Sequence, residues 1–248
     1  MTFLLALQFL TTIPLGRRQS VQSDLPGRSM AWFPGVGLVI GSLLVILDAL
    51  LSHLWAGLPG SALLLIAWLV ITGGMHMDGF IDCCDGLLVE RPAEQRLAIM
   101  KDSRVGAFGV LGAIGLLLVK FSSLAALTPG ERGMWLLLVP SLSRWIMVWA
   151  AWRYPTARPE GFAVWFRQGL GRRQLLIASG LMLAISLLIG RWLGVLLWAA
   201  VWLCALLLIA WVMRRIPGLT GDVYGALNET SEAIGLLLAV LLQRIALG

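Results

Sequence analysis

The stretch Gly73–Gly109, GGMHMDGFIDCCDGLLVERPAEQRLAIMKDSRVGAFG, decides how this chain is read. It carries six of the thirteen acidic residues (Asp78, Asp82, Asp85, Glu90, Glu94 and Asp102), one of two histidines and two of three cysteines. Long apolar runs flank it on both sides. The chain is 59% hydrophobic and 13% charged, far below the roughly 25% charge of a soluble domain. Such a composition excludes a soluble globule with a polar shell and defines an integral membrane protein. Polar residues gathered in one segment of such a chain mark a candidate site.

Working outward, apolar runs cover Phe33–Leu54, Ser61–Gly74, Val105–Leu127, Met134–Trp152, Leu175–Ile189, Trp192–Met213 and Ile234–Leu247. They predict an all-α polytopic helical bundle, one membrane-embedded domain over 1–248 with about seven crossing helices of ~20 residues each. Met1–Leu15 is too short for a span and has no basic residue before its apolar part, so it reads as an interfacial or re-entrant helix ending at Pro14. Trp32, Trp55, Trp135, Trp152 and Trp192 lie at run ends, as interfacial anchors should. Alternating the runs places most of the nineteen basic residues on one side, which the positive-inside bias makes cytoplasmic. Arg17, Arg18 and Arg28 fall there, as does every glycine-rich polar segment.

The net charge of +6 is mostly arginine, which suits phosphate groups or lipid headgroups and equally suits topology determination. No nucleic-acid module is visible. Cys83, Cys84 and Cys204 form no disulfide framework, and the spacing of His76, Cys83 and Cys84 is poor for zinc.

Asp78, Asp82 and Asp85 recur at i, i+4 and i+7, one face of a helix. Three stacked carboxylates repel unless a cation lies among them, and magnesium, which takes few carboxylates plus water and phosphate, is the natural ion. His76 would point away from that face on an unbroken helix, but the Gly73-Gly74 pair leaves its direction open. It is a candidate general base or phosphate ligand, or an interfacial histidine capping the span. Pro92 starts a short helix over Ala93–Lys101 with Leu97 and Met100 on one side. Next, Asp102-Ser103-Arg104-Val105-Gly106-Ala107-Phe108-Gly109 opens a span. Asp102 or Ser103 can cap it, or Arg104 with the Gly106 and Gly109 amides can hold an anion, with Asp102 as a fourth carboxylate.

A second constellation runs from Gly218 through Thr220, Asp222, Glu229 and Glu232, the three acids sharing a helical face. It reads either as a capped helix or as an acidic wall opposite the first. Arg158 lies in a proline-rich loop and Arg144 inside a span, each within possible reach of phosphate. Asp48 and Lys120 lie at similar depths and are expected to form a buried ion pair. These features alone describe a magnesium-dependent membrane enzyme acting on pyrophosphate or phosphate esters.

The order G-G-x-H-x-D-G-x-x-D-x-x-D-G followed by R-x-x-I-M-K-D-S-R-x-G-x-x-G resembles the cobalamin synthase family, the adenosylcobinamide-GDP ribazoletransferases. Phe9–Pro14, Phe33–Gly37, Ser143–Trp145, Ala157–Gly161 and Thr220 through Glu232 resemble family segments in family order, so the likeness covers nearly the whole chain. Cys83-Cys84 departs from the small or polar residues common there. The resemblance implies transfer of the phosphocobinamide group of adenosylcobinamide-GDP to α-ribazole or its phosphate, with release of GMP, magnesium dependence and a place in the bacterial inner membrane. It leaves room for a homo-oligomer. On it, Asp78, Asp82 and Asp85 are expected to hold magnesium and Asp102 to act as ligand or base, with His76 assisting. Arg104, Gly106, Gly109, Arg144, Arg158, Thr220, Asp222 and Glu229 are expected around the substrate. The rivals are weaker. Asp82–Gly86 matches the start of the CDP-alcohol phosphotransferase pattern, but Val89-Glu90 replaces its Ala-Arg and the downstream acids are missing. A transporter should carry acids within its spans, where Asp48 is the clear case.

Overall fold

The computed structural model describes residues 2–14, 25–55 and 57–247. Arg17 and Arg18 lie outside them. Helix α1 covers Thr2–Leu10, and α2 (Leu25–Ser29) runs through a 3₁₀ turn into α3 (Phe33–Leu54). The remaining helices are α4 (Leu58–Thr72), α5 (Met75–Leu87), α6 (Ala93–Ile99), α7 (Ala107–Ala126), α8 (Pro129–Arg153), α9 (Phe162–Arg167), α10 (Arg172–Met213) and α11 (Gly221–Leu247). Among the described residues there is no strand, only one parallel bridge between Thr156 and Leu219.

Proline in the first turn starts α3, α4 and α8, where its missing N–H removes no helical hydrogen bond. The Gly73-Gly74 pair ends α4. Both glycines are left-handed (φ 66° and 67°), and their N–H groups donate back to Val70 O (3.1 Å) and Leu69 O (3.0 Å). This is the Schellman stop, which uses a helix's last carbonyls. Thr12 takes part too: its N–H donates to Ile71 O (2.8 Å) and its hydroxyl to Val70 O (3.0 Å). The chain then leaves at 93° as α5, whose first bond is Asp78 N–H to Gly74 O (2.9 Å).

Helix α8 is the axis of the bundle, with Trp135 to Ala151 almost wholly buried. Helix α3 lies close against it through small residues, since a Cβ on Gly37 would fall 2.4 Å from Pro140 O and one on Gly41 2.3 Å from Leu136 O. Between apolar helices in lipid, such small-residue contacts replace the missing hydrophobic drive with close packing. In α10 the backbone breaks at Arg191 (φ 52°, ψ −136°). Gly194 then lies so close to Ser186 that a Cβ would meet its carbonyl at 2.5 Å. Eight residues of unbroken helix would span ~12 Å, so the chain reverses there.

Among the described residues five helices are long and apolar enough to cross a membrane, six if α4 and α5 form one bent span. The expected seven is reached only by counting both limbs of α10 separately. Ile46, Leu50, Ile66, Leu111, Leu118, Leu188 and Leu207 project outward from these helices, an apolar outer surface that lipid covers. The fold is thus an all-helical polytopic membrane bundle. Two expectations are corrected. Trp135 is fully buried rather than an anchor, whereas Trp32, Trp55, Trp152 and Trp192 are exposed at helix ends. The last apolar run, expected from Ile234, is only the far part of α11, which begins thirteen residues earlier at Gly221.

Candidate active site at the polar end of the bundle

Glycines bring the two acidic constellations together. A Cβ on Gly79 of α5 would lie 2.9 Å from the Asp222 backbone, and one on Gly225 of α11 2.9 Å from His76 O. The helices therefore touch backbone to backbone. Asp78 (exposed) and Asp82 (half-buried) come beside Asp222 in the first turn of α11, so the three carboxylates lie in one another's repulsive field. The expected acidic wall exists at Asp222 alone.

Thr220 is the cap of α11: its hydroxyl accepts from Val223 N–H (3.2 Å) and donates to Asp222 Oδ2 (3.1 Å). The segment before it is pinned to the loop after α8 by Ala157 N–H to Leu219 O (3.0 Å) and Leu219 N–H to Pro155 O (2.8 Å). A Cβ at Gly218 would strike that loop at 2.6 Å. This bridge delivers Arg158, whose Nη1 lies 3.5 Å from Asp222 Oδ2 and whose Nη2 donates to Leu97 O (2.9 Å). The Arg158 guanidinium thus acts on the carboxylates of Asp222 and Asp82. Beside them, an apolar cavity of about 180 Å³ lies between α5, α10 and α11, lined by Cys83, Leu87, Trp211 and Val223.

Other expected residues do different work. Asp85 is buried, and its carboxylate accepts from Gly106 N–H (2.7 Å) and Gly109 N–H (2.8 Å). Those are the cap and third-position amides of α7. The anion at this helix N-terminus is therefore a side chain of the protein, which corrects the assignment of Gly106 and Gly109 to phosphate and engages both Asp85 oxygens. Arg96 completes the brace by donating to Leu87 O (2.6 Å) at the end of α5 and to Arg91 O (2.7 Å). Asp102 and Arg104 bind each other, Nη2 to Oδ2 at 2.7 Å and Nε to Oδ1 at 3.0 Å. These bonds hold the Asp102 carboxyl down at about 2.

Deeper in the bundle the ion pairs are redrawn. Lys120 does not meet Asp48; its Nζ donates to Glu229 Oε2 (2.5 Å) and Glu232 Oε2 (2.6 Å) and lies 5.2 Å from the Trp68 ring centre. Asp48 pairs instead with Arg132 (3.3 Å) near the other end of the bundle. Arg144, expected at phosphate, is fully buried and bound to Glu232, as is Asn228 Nδ2 (3.2 Å). Glu229, 2% exposed, likewise serves Lys120 rather than a substrate. His76 is also 2% exposed and lies within electrostatic reach of Arg144, Glu232 and Lys120. Because α5 starts at Met75, two residues at 100° each turn His76 away from Asp78. Sequence reasoning missed this cluster as a unit; two in-span cations, Lys120 and Arg144, against one clearly in-span acid, Asp48, were its signal.

The described residues thus form a multi-pass helical membrane bundle with acids and an arginine clustered at one end. The comparisons narrow the class. The cobalamin-5-phosphate synthase family matches residues 2–240, and the chain belongs to that family. It is 41% identical over 238 residues to an adenosylcobinamide-GDP ribazoletransferase of Desulfitobacterium hafniense, covering 94% of each chain. To the ribazoletransferase of Thermosynechococcus vestitus it is 40% identical over 231 residues, 92% of this chain and 91% of the relative. No solved structure matches it.

Proposed function

We propose that this chain transfers the phosphocobinamide group of adenosylcobinamide-GDP to α-ribazole or α-ribazole phosphate. The products are adenosylcobalamin or its phosphate and GMP. The carrying observation is the polar end itself, where Asp78, Asp82, Asp222 and Arg158 meet in a member of this family. The positive-inside bias supports placing that end at the cytoplasmic face of a bacterial inner membrane.

Among the described residues no three His, Cys, Asp or Glu side chains converge to enclose a metal by themselves. The donors at the polar end are hard carboxylate oxygens, exposed or half-buried. That set fits magnesium, which keeps several waters and binds through one or two carboxylates together with substrate phosphate. Asp78 and Asp82 would hold the ion, with Asp222 opposite. When bound, magnesium supplies neutralisation of the negative charge on the phosphates. In the reaction a ribose hydroxyl oxygen bonds to the phosphorus carrying cobinamide, the bond from that phosphorus to the GMP oxygen breaks, and the hydroxyl proton leaves to solvent. Arg158, braced by Leu97 O, is placed to hold a phosphate oxygen, and the 93° turn at Gly73-Gly74 holds Asp78 and Asp82 toward water. Such a site works mainly by positioning and charge.

The test is incubation of purified protein with adenosylcobinamide-GDP, α-ribazole and magnesium. GMP and cobalamin should appear in equal amounts. No product beside a competent positive control overturns the proposal.

A further inference from the structure

The contact between α5 and α11 is smooth. Gly79 and Gly225 meet there without side chains, so this face alone does not set the rotation of α5, whose last turns are tied to α7 by Asp85 on the Gly106 and Gly109 amides. Yet the acidic row rides on α5. With side chains ~5–6 Å from a helix axis, a 10° rotation moves a carboxylate by about 1 Å, enough to cost on the order of 10²-fold in rate. Asp85 sets the last turns of this helix, and His76 lies in its first turn.

His76 is the side chain of α5 that enters the buried ion cluster, and its surroundings have a pattern. Lys120 from α7, Ser143 and Arg144 from α8, and Asn228, Glu229 and Glu232 from α11 bind one another there, two cations against two anions. Within this satisfied network some polar atoms have no protein partner: both ring nitrogens of His76, Nε and Nη2 of Arg144, and Oδ1 of Asn228. All three residues are at least 98% buried. They combine donors (Arg144 and one imidazole N–H) with acceptors (Asn228 Oδ1 and the other imidazole nitrogen). A buried polar group left without a partner is costly, because it gives up its hydrogen bonds to water and gains none in return. Native proteins satisfy such groups with ordered water where several polar atoms converge.

We propose that His76, Arg144 and Asn228 form a buried water-binding pocket beneath the acidic row, and that through it His76 is a positioning residue that holds the first turns of α5, as Asp85 holds the last. The expected effect on turnover rests on the proposed ribazoletransferase reaction; the pocket does not. His76 touches no reacting group in this arrangement. It acts through water on Arg144 and Asn228, which the ion cluster holds rigid.

Two variants and a map test this. Leucine removes both hydrogen-bonding groups and fills the space with apolar atoms. Glutamine keeps a donor and an acceptor but cannot act as a base. In detergent or nanodiscs, His76→Leu should keep or raise Tm while kcat falls on the order of 10²-fold with KM for α-ribazole little changed. His76→Gln should recover activity to within about tenfold of wild type, because water can still bridge it. If His76→Leu lowers Tm in step with activity, the role is structural; if it is fully active, there is no positioning; if His76→Gln is as inactive as His76→Leu, His76 moves a proton itself. Each of these overturns the proposal. Should the wild-type protein make no cobalamin, the reaction assignment fails, and a cryo-EM map that resolves water still decides the pocket. Water bridging His76 to Arg144 or Asn228 supports it, and a dry ring in apolar contact overturns it.

Discussion

Two acidic clusters lie on the same pair of helices and are built in opposite ways. At the polar end Asp78, Asp82 and Asp222 lie in one another's field, with the Arg158 guanidinium 3.5 Å from Asp222. A few turns deeper, Glu229 and Glu232 are matched by Lys120 and Arg144, with both lysine bonds at 2.5–2.6 Å and all four side chains buried. The inner cluster is complete in charge, so it holds helices together and has nothing to offer a ligand. The outer cluster carries unmatched negative charge, so its acids repel one another. Charge left over at a membrane surface points to chemistry, and charge fully matched in the core points to architecture.

The largest effect should come from unbalancing the inner cluster. Glu232→Gln leaves Lys120 and Arg144 buried with one carboxylate, and breaking such a pair costs roughly 3–5 kcal/mol. Folded yield and Tm in detergent should both drop sharply. Lys120→Met combined with Glu229→Gln removes one charge of each sign and leaves Arg144 with Glu232, so most of the stability should return. Equal damage from the double and single variants would mean that volume, not charge balance, decides.

Asp85 sharpens the comparison, because it shares a helix face with the outer acids but is bound like an inner one. Asp85→Asn puts an amide N–H opposite one of two backbone N–H donors. It should lower stability by about 2 kcal/mol, read by thermal unfolding, while the magnesium dependence of turnover keeps its midpoint. A shifted magnesium midpoint with unchanged Tm would return Asp85 to the ion.

The smallest effect belongs to Asp102. Its carboxyl is held at about 2 by Arg104, below its usual value. Its contribution to stability is therefore present above pH ~4 and lost only as pH falls through the folded value. Between pH 5 and 8 the Tm profiles of wild type and Asp102→Asn should run parallel, and the pH–rate profile should show no break that disappears in the variant.

Much of this was legible in the sequence, and the failures have physical reasons. The glycine pair announced the end of α4, and the i, i+4, i+7 aspartates announced a row, because both are local. Asp85 was misplaced because its partners are backbone N–H groups 21 and 24 residues away, and amides leave no mark in a sequence. The Asp48–Lys120 pairing failed because hydropathy gives depth along a span but not direction around it. Glu229 and Glu232 were read as surface acids because they suppress the hydropathy of α11, so its apolar run seemed to begin at Ile234 rather than Gly221. Arg144 beside a phosphate followed from the same error, since its acid was not yet known to be in the core.

The central claim is that the unmatched outer acids hold the ion and the inner cluster does not. The direct measurement is GMP release against magnesium concentration for wild type and Asp82→Asn, with Tm recorded on the same samples. Turnover should fall at least about 10²-fold, or the magnesium midpoint rise by about tenfold or more (about 1.4 kcal/mol), with Tm unchanged or higher because repulsion is relieved. Coincident magnesium curves and undiminished turnover would contradict the account.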